Sequence, residues 1–279
     1  MQTIGEILEP TRKVAPRIIA GTTISIAILV AILYASVYSL QERLIYPGAG
    51  GGPAETYDGW REVALANTAA GAMVGYHLPA KPGKPTVMFL HGNGDGLRGS
   101  VFATQAFVDR GYGVLVPEYP GYAGNPGKPD EDGLQAAAVN GRDWLAGRGV
   151  QDRDIVVIGN SIGTGPAIAA ARRGASALVI VSGPASLLDV VQGHYPMIPA
   201  AMLRDHYDNE GAVRGIGIPV LVVHGSGDVL VPPEQGRRLA KASGGRLIMI
   251  EGGHGIAYDA ETQELVLRWL ENRRAVKQD

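Results

Sequence analysis

The chain has 279 residues, of which 46% are hydrophobic, so it can bury the core of one α/β domain of ordinary size. Lysine and arginine number 25 against 27 aspartates and glutamates, and this balance leaves no overall positive charge to attract nucleic acid. The absence of cysteine excludes disulfide bonds, thiolate nucleophiles and cysteine-ligated metals.

An apolar stretch near the N-terminus predicts a membrane anchor. Residues 18–38 are 21 residues without a charge, and a helix of that length spans a hydrocarbon core of roughly 30 Å. Because Arg12, Lys13 and Arg17 precede it, the positive-inside bias predicts a cytoplasmic N-terminus with the rest of the chain on the outer face. Two alternatives stay open: a cleaved signal peptide, with a weak small-residue site at 37–39, and a buried helix of a soluble protein.

Glycine and proline follow the apolar stretch and indicate a flexible linker. The run PGAGGGP occupies 47–53, and the linker is predicted to cover 41–56. It separates an N-terminal cytoplasmic segment and anchor, 1–40, from a globular domain, 57–279.

Within the globular domain, apolar β runs alternate with helical patterns, which predicts a mostly parallel sheet covered by helices. The runs VMFL, IVVI, ALVIV and VLVV are continuously apolar, as parallel strands buried on both faces should be. Ligands are expected at the carboxyl edge of such a sheet, and the strandless stretch 184–217 is interpreted as a short insertion over that edge. The predicted strands are 61–66 and 72–78, as a hairpin, then 85–92, 113–116, 155–158, 177–181, 219–223 and 246–250, and the predicted helices are 130–145, 162–173, 234–242 and 260–272.

A serine lies where a predicted strand turns sharply into a predicted helix. In GNSIG, residues 159–163, glycines flank Ser161 and remove the side chains that would clash in so tight a turn. The turn exposes the hydroxyl above the sheet, and the helix that follows directs backbone N–H groups at any negative charge that develops there. The pattern is typical of a nucleophile, although a helix-capping serine or a nucleotide-binding turn has the same residues.

A serine nucleophile needs a base that takes its proton and a carboxylate that orients the base. Asp228 follows the strand 219–223, and His254 follows the strand 246–250 between glycines. The order serine, aspartate, histidine, each beyond a different strand end, is the chain order expected with this kind of turn. The alternative acid is Glu251, which is close to His254 along the chain, and the alternative base is His224, which ends its own strand.

The loop HGNGD, residues 91–95, follows another strand and is expected to bind the oxygen of a reacting carbonyl. Acyl transfer needs two preformed donors for the negative oxygen, and we expect the N–H groups of Asn93 and Ile162 to supply them. Gly92 and Gly94 would let the backbone approach the substrate closely. The alternative is an ordinary loop between a strand and a helix.

The insertion 184–217 carries apolar residues over the catalytic edge. Tyr195, Met197 and Ile198 are predicted to line an acyl-binding site, and the nearby membrane would supply lipid-like esters. The alternative is that these residues pack the insertion onto the rest of the domain.

These motifs resemble the α/β-hydrolase superfamily, in particular its membrane-anchored serine hydrolases. The resemblance runs from about residue 41 to the C-terminus, although Glu118 and Pro120 stand where the family usually has aspartate and arginine or serine. The matched stretches are HGNGD (91–95), GYAGNPG (121–127), GNSIGTGP (159–166), HGSGD (224–228) and GGHG (252–255). One subgroup of this family removes palmitoyl groups from proteins as thioesterases, and other members are carboxylesterases.

The resemblance implies an α/β-hydrolase fold with a short insertion over the active-site edge and an N-terminal transmembrane helix. It also implies a serine hydrolase that cleaves ester or thioester bonds of lipid-like acyl substrates through an acyl-enzyme. No cofactor, metal or nucleic-acid partner is expected, and the membrane is contacted through residues 18–38. A peptidase or amidase with the same triad, and a non-catalytic membrane-tethered binding protein, remain alternatives, and the oligomeric state is not predicted.

Overall fold

The computed structural model describes residues 4–52, 54–68 and 71–276, and the chain divides into two compact units, Met1–Leu44 and Ile45–Asp279. The first helix, α1 (Ile4–Ile45), begins in the first unit and ends at the start of the second. Among the described residues, its part Ile19–Ile45 is the one helix long and apolar enough to cross a membrane, with a mean hydropathy of 2.1. The apolar side chains of Ile24 and Leu29 are 59% and 66% exposed, which is not the environment of a buried core helix.

One mixed sheet forms the centre of the second unit. Its strands are β1 (Arg61–Thr68), β2 (Gly71–Leu78), β3 (Thr86–Leu90), β4 (Gly113–Pro117), β5 (Ile155–Asn160), β6 (Ala177–Val181), β7 (Val220–Gly225) and β8 (Arg246–Ile250). Within the described part of the chain, these eight strands take the order β1-β2-β4-β3-β5-β6-β7-β8. The pairs β1/β2 and β2/β4 are antiparallel and the other neighbours are parallel, so the prediction of a mostly parallel sheet is confirmed.

Both faces of the sheet are buried, which explains the continuously apolar strands. In β3, Met88 and Leu90 pack into one core, whereas Val87 and Phe89 pack into the core on the opposite face. This alternation follows from the two-residue repeat of a strand, and all five residues of β3 are buried. The sheet is therefore a rigid base for the loops at its carboxyl edge.

Helices cover the two faces. They are α2 (Leu97–Asp109), α3 (Glu131–Gly147), α4 (Thr164–Arg173), α5 (Leu187–His194), α6 (Asn209–Val213), α7 (Pro233–Ser243) and α8 (Ala260–Val276). The four helices predicted from the sequence correspond to α3, α4, α7 and α8, but α2 was not predicted. It starts after Gly96, which provides no side-chain cap, and its first turn has no acidic residue, so the usual start signals are missing.

The insertion 184–217 contains the short helices α5 and α6 and is fixed to the domain by buried side chains. The Gln235 side-chain oxygen accepts the N–H of Ala185 at 2.9 Å and the N–H of Ser186 at 3.2 Å. The Asn209 side chain donates to the carbonyl of Pro184 at 2.9 Å. These contacts hold the start of the insertion in a defined position over the sheet edge.

The flexible linker predicted over 41–56 differs from the structure in its first half. Helix α1 continues to Ile45, and Tyr46 is buried. The N–H of Gly48 donates to Asn93 at 3.0 Å, and that of Gly50 donates to Gly121 at 2.7 Å. The glycines here permit close packing of two backbones, which sequence composition alone does not distinguish from flexibility.

Candidate active site

The turn after β5 has the geometry of a nucleophile elbow. Ser161 follows the last strand residue directly and has a φ of 54°, in the left-handed region that side chains other than glycine rarely adopt. A β-carbon at Gly163 would lie 2.2 Å from the carbonyl oxygen of Leu90, so only glycine fits where the turn crosses β3. The strained turn brings the Ser161 side chain out at the carboxyl edge of the sheet.

A chain of short hydrogen bonds joins three residues that are far apart in the sequence. His254 Nε2 lies 2.8 Å from Ser161 Oγ, and His254 Nδ1 lies 2.8 Å from Asp228 Oδ2. The Asp228 side chain is fully buried, whereas that of His254 is 26% exposed. The aspartate end of this chain is therefore buried, and the imidazole is partly accessible to solvent.

The surroundings of Asp228 favour its ionised form. Its Oδ1 accepts backbone N–H groups from Leu230 at 3.0 Å and Val231 at 2.9 Å. Burial raises the pKa of Asp228, but hydrogen bonds from His224, His254 and the Val231 N–H outweigh this effect and lower the pKa well below its usual range. An ionised Asp228 accepts the Nδ1 proton of His254, so Nε2 is left unprotonated and able to accept the hydroxyl proton of Ser161.

The two alternatives from the sequence lie elsewhere. Glu251 is exposed, and the carboxylate bonded to His254 is that of Asp228. His224 is buried, and its Nε2 donates to the carbonyl of Val231 at 2.9 Å. The same nitrogen is 3.4 Å from Asp228 Oδ2. His224 therefore stabilises the ionised carboxylate of Asp228, whereas the imidazole that contacts the serine is that of His254.

The HGNGD loop (residues 91–95) lies directly beside the nucleophile. A β-carbon at Gly92 would be 3.6 Å from Cβ of Ser161, whereas one at Gly94 would meet open space. The Asn93 side chain donates to the carbonyl of Ile45 at 2.8 Å, and its backbone N–H is the group that we expect to donate to a substrate. Ile162 directly follows Ser161 and is buried in the turn Ser161–Gly163.

The apolar residues predicted to bind substrate lie at the end of α5. Tyr195 is 62% and Met197 is 78% exposed, and Ile198 is half-buried. His194 Nε2 pairs with the carbonyl of Leu230 at 2.8 Å, which joins this part of the insertion to the loop that carries Asp228. Tyr195 and Met197 are therefore exposed side chains that directly follow this contact along the chain, and their part in substrate binding stays a prediction.

A buried ion pair beneath the HGNGD loop was not foreseen from the sequence. His91 Nε2 lies 3.2 Å from Glu118 Oε2, His91 Nδ1 donates to the carbonyl of Gly92 at 2.8 Å, and both side chains are fully buried. Burial lowers the pKa of His91, but the charge and hydrogen bond of Glu118, the hydrogen bond to the Gly92 carbonyl and the Asp95 charge together outweigh this effect and raise it. Glu118, which departs from the family pattern, therefore lies under the loop and fixes it.

A second network connects the three loops of the site. The Tyr258 hydroxyl donates to Asp95, and the Asn160 side chain donates to that hydroxyl at 3.3 Å. Asp95 belongs to the HGNGD loop, Asn160 precedes the nucleophile and Tyr258 lies in the turn after His254. The HGNGD motif drew attention to Asp95, but no sequence pattern indicated its partner, 163 residues away.

The described residues contain no group of three or more histidine, cysteine, aspartate and glutamate side chains arranged to hold a metal ion. The structure does bring together a serine, a histidine and a buried carboxylate that are joined by hydrogen bonds. This set of groups suits nucleophilic attack on a carbonyl carbon.

The family model described as "Alpha/beta hydrolase family" matches residues 87–209. An uncharacterized protein of Mycobacterium tuberculosis is 34% identical over 229 residues, which cover 78% of this chain and 82% of that protein. The chain belongs to the alpha/beta hydrolase family. This assignment confirms the fold expected from the motifs.

More distant relatives include enzymes with esterase and lipase names. The lysophosphatidylserine lipase ABHD12 of Xenopus tropicalis is 26% identical over 178 residues, covering 56% of this chain and 46% of that protein. The solved structure of an esterase from Pyrococcus furiosus superposes with a TM-score of 0.63 at 18% identity, covering 80% of this chain and 96% of that one. At this identity the structural match supports the fold, and the family as a whole supports a hydrolase.

Proposed function

We propose that the protein is a membrane-anchored serine hydrolase that cleaves ester or thioester bonds of lipid-like acyl substrates. The observation that carries the proposal is the hydrogen-bonded chain from Ser161 through His254 to Asp228, with 2.8 Å at each step. A helix-capping serine has no need of a base, and a non-catalytic binding protein has no need of a buried carboxylate behind that base.

The reaction follows from these positions. Ser161 Oγ attacks the carbonyl carbon as His254 Nε2 takes the hydroxyl proton, and Asp228 stabilises the imidazolium that forms. The N–H groups of Asn93 and Ile162 donate to the negatively charged oxygen of the tetrahedral intermediate. His254 returns the proton to the leaving alcohol or thiol, so an acyl group remains on Ser161. Water then attacks this acyl-enzyme by the same steps, which releases the acid and restores the serine.

An exposed apolar rim supports a lipid-like acyl group as substrate. Tyr195 and Met197 from the insertion and Val229 and Leu230 from the acid-bearing loop are 62%, 78%, 83% and 51% exposed. Large exposed apolar clusters of this kind are typical of binding surfaces. Because Val229 follows Asp228 directly, an acyl chain lying along this rim would have its carbonyl near the triad. The name of the ABHD12 relative, a lysophosphatidylserine lipase, agrees with this substrate class.

We assign α1 as a retained anchor that holds the N-terminus in the cytoplasm and the hydrolase unit on the outer face, on the basis of Arg12, Lys13 and Arg17. The chain has no cysteine, so single-cysteine labelling tests this directly. In intact cells, K84C should react with a membrane-impermeant maleimide and Q2C should not. The opposite pattern would reverse the topology, and a shortened product without residue 2 would show cleavage.

The decisive test compares the wild-type protein with S161A on short- and long-chain p-nitrophenyl esters. We expect kcat to fall on the order of 10⁶-fold, the size seen when a triad serine is removed. A fluorophosphonate probe should label the wild-type protein and not S161A. Equal turnover by both proteins would refute the proposal, and turnover of acyl p-nitroanilides in preference to esters would favour the peptidase alternative.

A further inference from the structure

The chain segment that leaves helix α1 contacts the predicted oxyanion donor from two sides. This post-helix segment is residues 45–48. The Asn93 side-chain nitrogen donates to the carbonyl of Ile45 at 2.8 Å, and the N–H of Gly48 donates to the carbonyl of Asn93 at 3.0 Å. The hydroxyl of Tyr122 donates to the same Asn93 carbonyl at 2.7 Å. The side-chain nitrogen and the backbone carbonyl of Asn93 are therefore held by fixed partners.

The direction of the Asn93 N–H is set by the peptide group to which it belongs. In a trans peptide the carbonyl of Gly92 and the N–H of Asn93 point in opposite directions. That Gly92 carbonyl accepts His91 Nδ1 at 2.8 Å and the N–H of Asp95 at 3.2 Å. His91 and Asp95 thus determine the direction of the donor, whereas the post-helix segment determines where Asn93 lies.

The post-helix segment is itself locked to the insertion. Tyr46 is 2% exposed, and its hydroxyl lies 2.8 Å from a carboxylate oxygen of Asp205 and 2.9 Å from the hydroxyl of Tyr207. The Glu131 side chain in turn accepts the N–H groups of His206 and Tyr207 at 3.0 and 2.9 Å. The segment therefore has a defined position relative to the catalytic edge.

Gly48 has no space for a side chain. A β-carbon there would lie 2.8 Å from the Asn93 carbonyl oxygen and 2.8 Å from Cε1 of Tyr122. Gly51, three residues on, would place a β-carbon in open space. The two glycines therefore form a matched pair for substitution: a side chain at Gly48 would collide with Asn93, and one at Gly51 would not.

We infer that the post-helix segment is a positioning element of the active site: it fixes where Asn93 lies, and therefore the place from which the Asn93 N–H donates to the substrate carbonyl oxygen. The inference rests on the proposed function and extends it to a part of the chain outside the family-model match. Ile45, the first residue of the second unit, is the last residue of helix α1 and accepts the bond from Asn93.

The test uses the full chain in detergent and compares G48A with G51A. We expect G48A to lower kcat roughly 10- to 100-fold with little change in KM, since complete loss of one oxyanion donor typically costs about 10²–10³. The affinity for a boronic acid, which mimics the tetrahedral intermediate, should fall by a similar factor. G51A should match the wild-type protein in both measurements, and its turnover also shows that the proposed function holds.

A second variant covers the case in which G48A does not fold. N93A keeps the backbone N–H but removes the bond to Ile45, so we expect the same parallel loss in kcat and boronate affinity. If both variants retain wild-type kcat and boronate affinity, the inference is wrong. It is also wrong if kcat falls while boronate affinity stays, because the donor position would then be unaffected. Failure of the proposed function itself would be seen differently, as no turnover by wild-type protein and G51A.

Discussion

Replacing Asp228 with asparagine exchanges one carboxylate oxygen for an amide group of the same size. The oxygen that accepts the N–H groups of Leu230 and Val231 can be kept, so the loop should retain its conformation. The other position, 2.8 Å from His254 Nδ1, becomes an amide that donates a hydrogen bond. His254 must then accept at Nδ1 and carry its proton on Nε2, where it can no longer take the proton of Ser161.

The expected effect on turnover is large, and the variant should still fold. A triad with the wrong imidazole tautomer loses about 10⁴-fold in kcat, which is about 5.4 kcal/mol of transition-state stabilisation at about 1.36 kcal/mol per tenfold. Because asparagine can keep the two backbone partners at this position, D228N should remain folded under the assay conditions, and the loss should be seen in kcat.

The assay measures hydrolysis of a p-nitrophenyl ester by wild-type protein, D228N and E251Q, with urea unfolding followed by circular dichroism. E251Q is the matched control, since Glu251 is an exposed carboxylate close to the same histidine along the chain. If D228N keeps more than about a tenth of the wild-type kcat, Asp228 does not set the tautomer of His254, and the reasoning is refuted. A loss in E251Q as large as in D228N would make Glu251 the orienting acid.

Three further predictions concern stability and the rim. Because the pKa of Asp228 is lowered from its ordinary value of 3.8, the ionised carboxylate stabilises the fold fully above that pH. This stabilisation decreases as the pH falls through the pKa of Asp228 in the folded protein. In urea unfolding, the stability difference between wild-type protein and D228N should therefore vanish in acid. L145A removes a fully buried side chain and should lower the free energy of unfolding by about 2–5 kcal/mol in urea titration. M197S changes a side chain that is 78% exposed, so it should alter stability by less than about 0.5 kcal/mol yet lower kcat/KM for long-chain esters several-fold relative to the acetate. An unchanged chain-length profile in M197S would contradict a role of the rim in acyl binding.

Sequence patterns predicted those features of the protein that depend on residues close together along the chain. Continuously apolar runs predicted the buried parallel strands, and the glycines around Ser161 predicted the tight turn, because both depend on residues within a few positions. Asp228 and His254 were identified because each follows a strand, and parallel strands bring their carboxyl ends to one edge. Helix α2 was missed because it begins without a capping side chain.

Contacts between distant segments had no such local signal. The pairing of Asp95 with Tyr258 joins residues 163 apart, and that of Asn93 with Ile45 joins residues 48 apart. Composition assigned the glycines after helix α1 to a flexible linker, whereas their neighbours in space show that Gly48 is there because a side chain would collide with Asn93 and Tyr122. Sequence alone therefore predicts the architecture and the candidate catalytic residues, since these follow from local backbone preference and hydrophobic burial. The hydrogen bonds that position these residues could not be predicted from the sequence, because they join segments that become neighbours only in the folded structure.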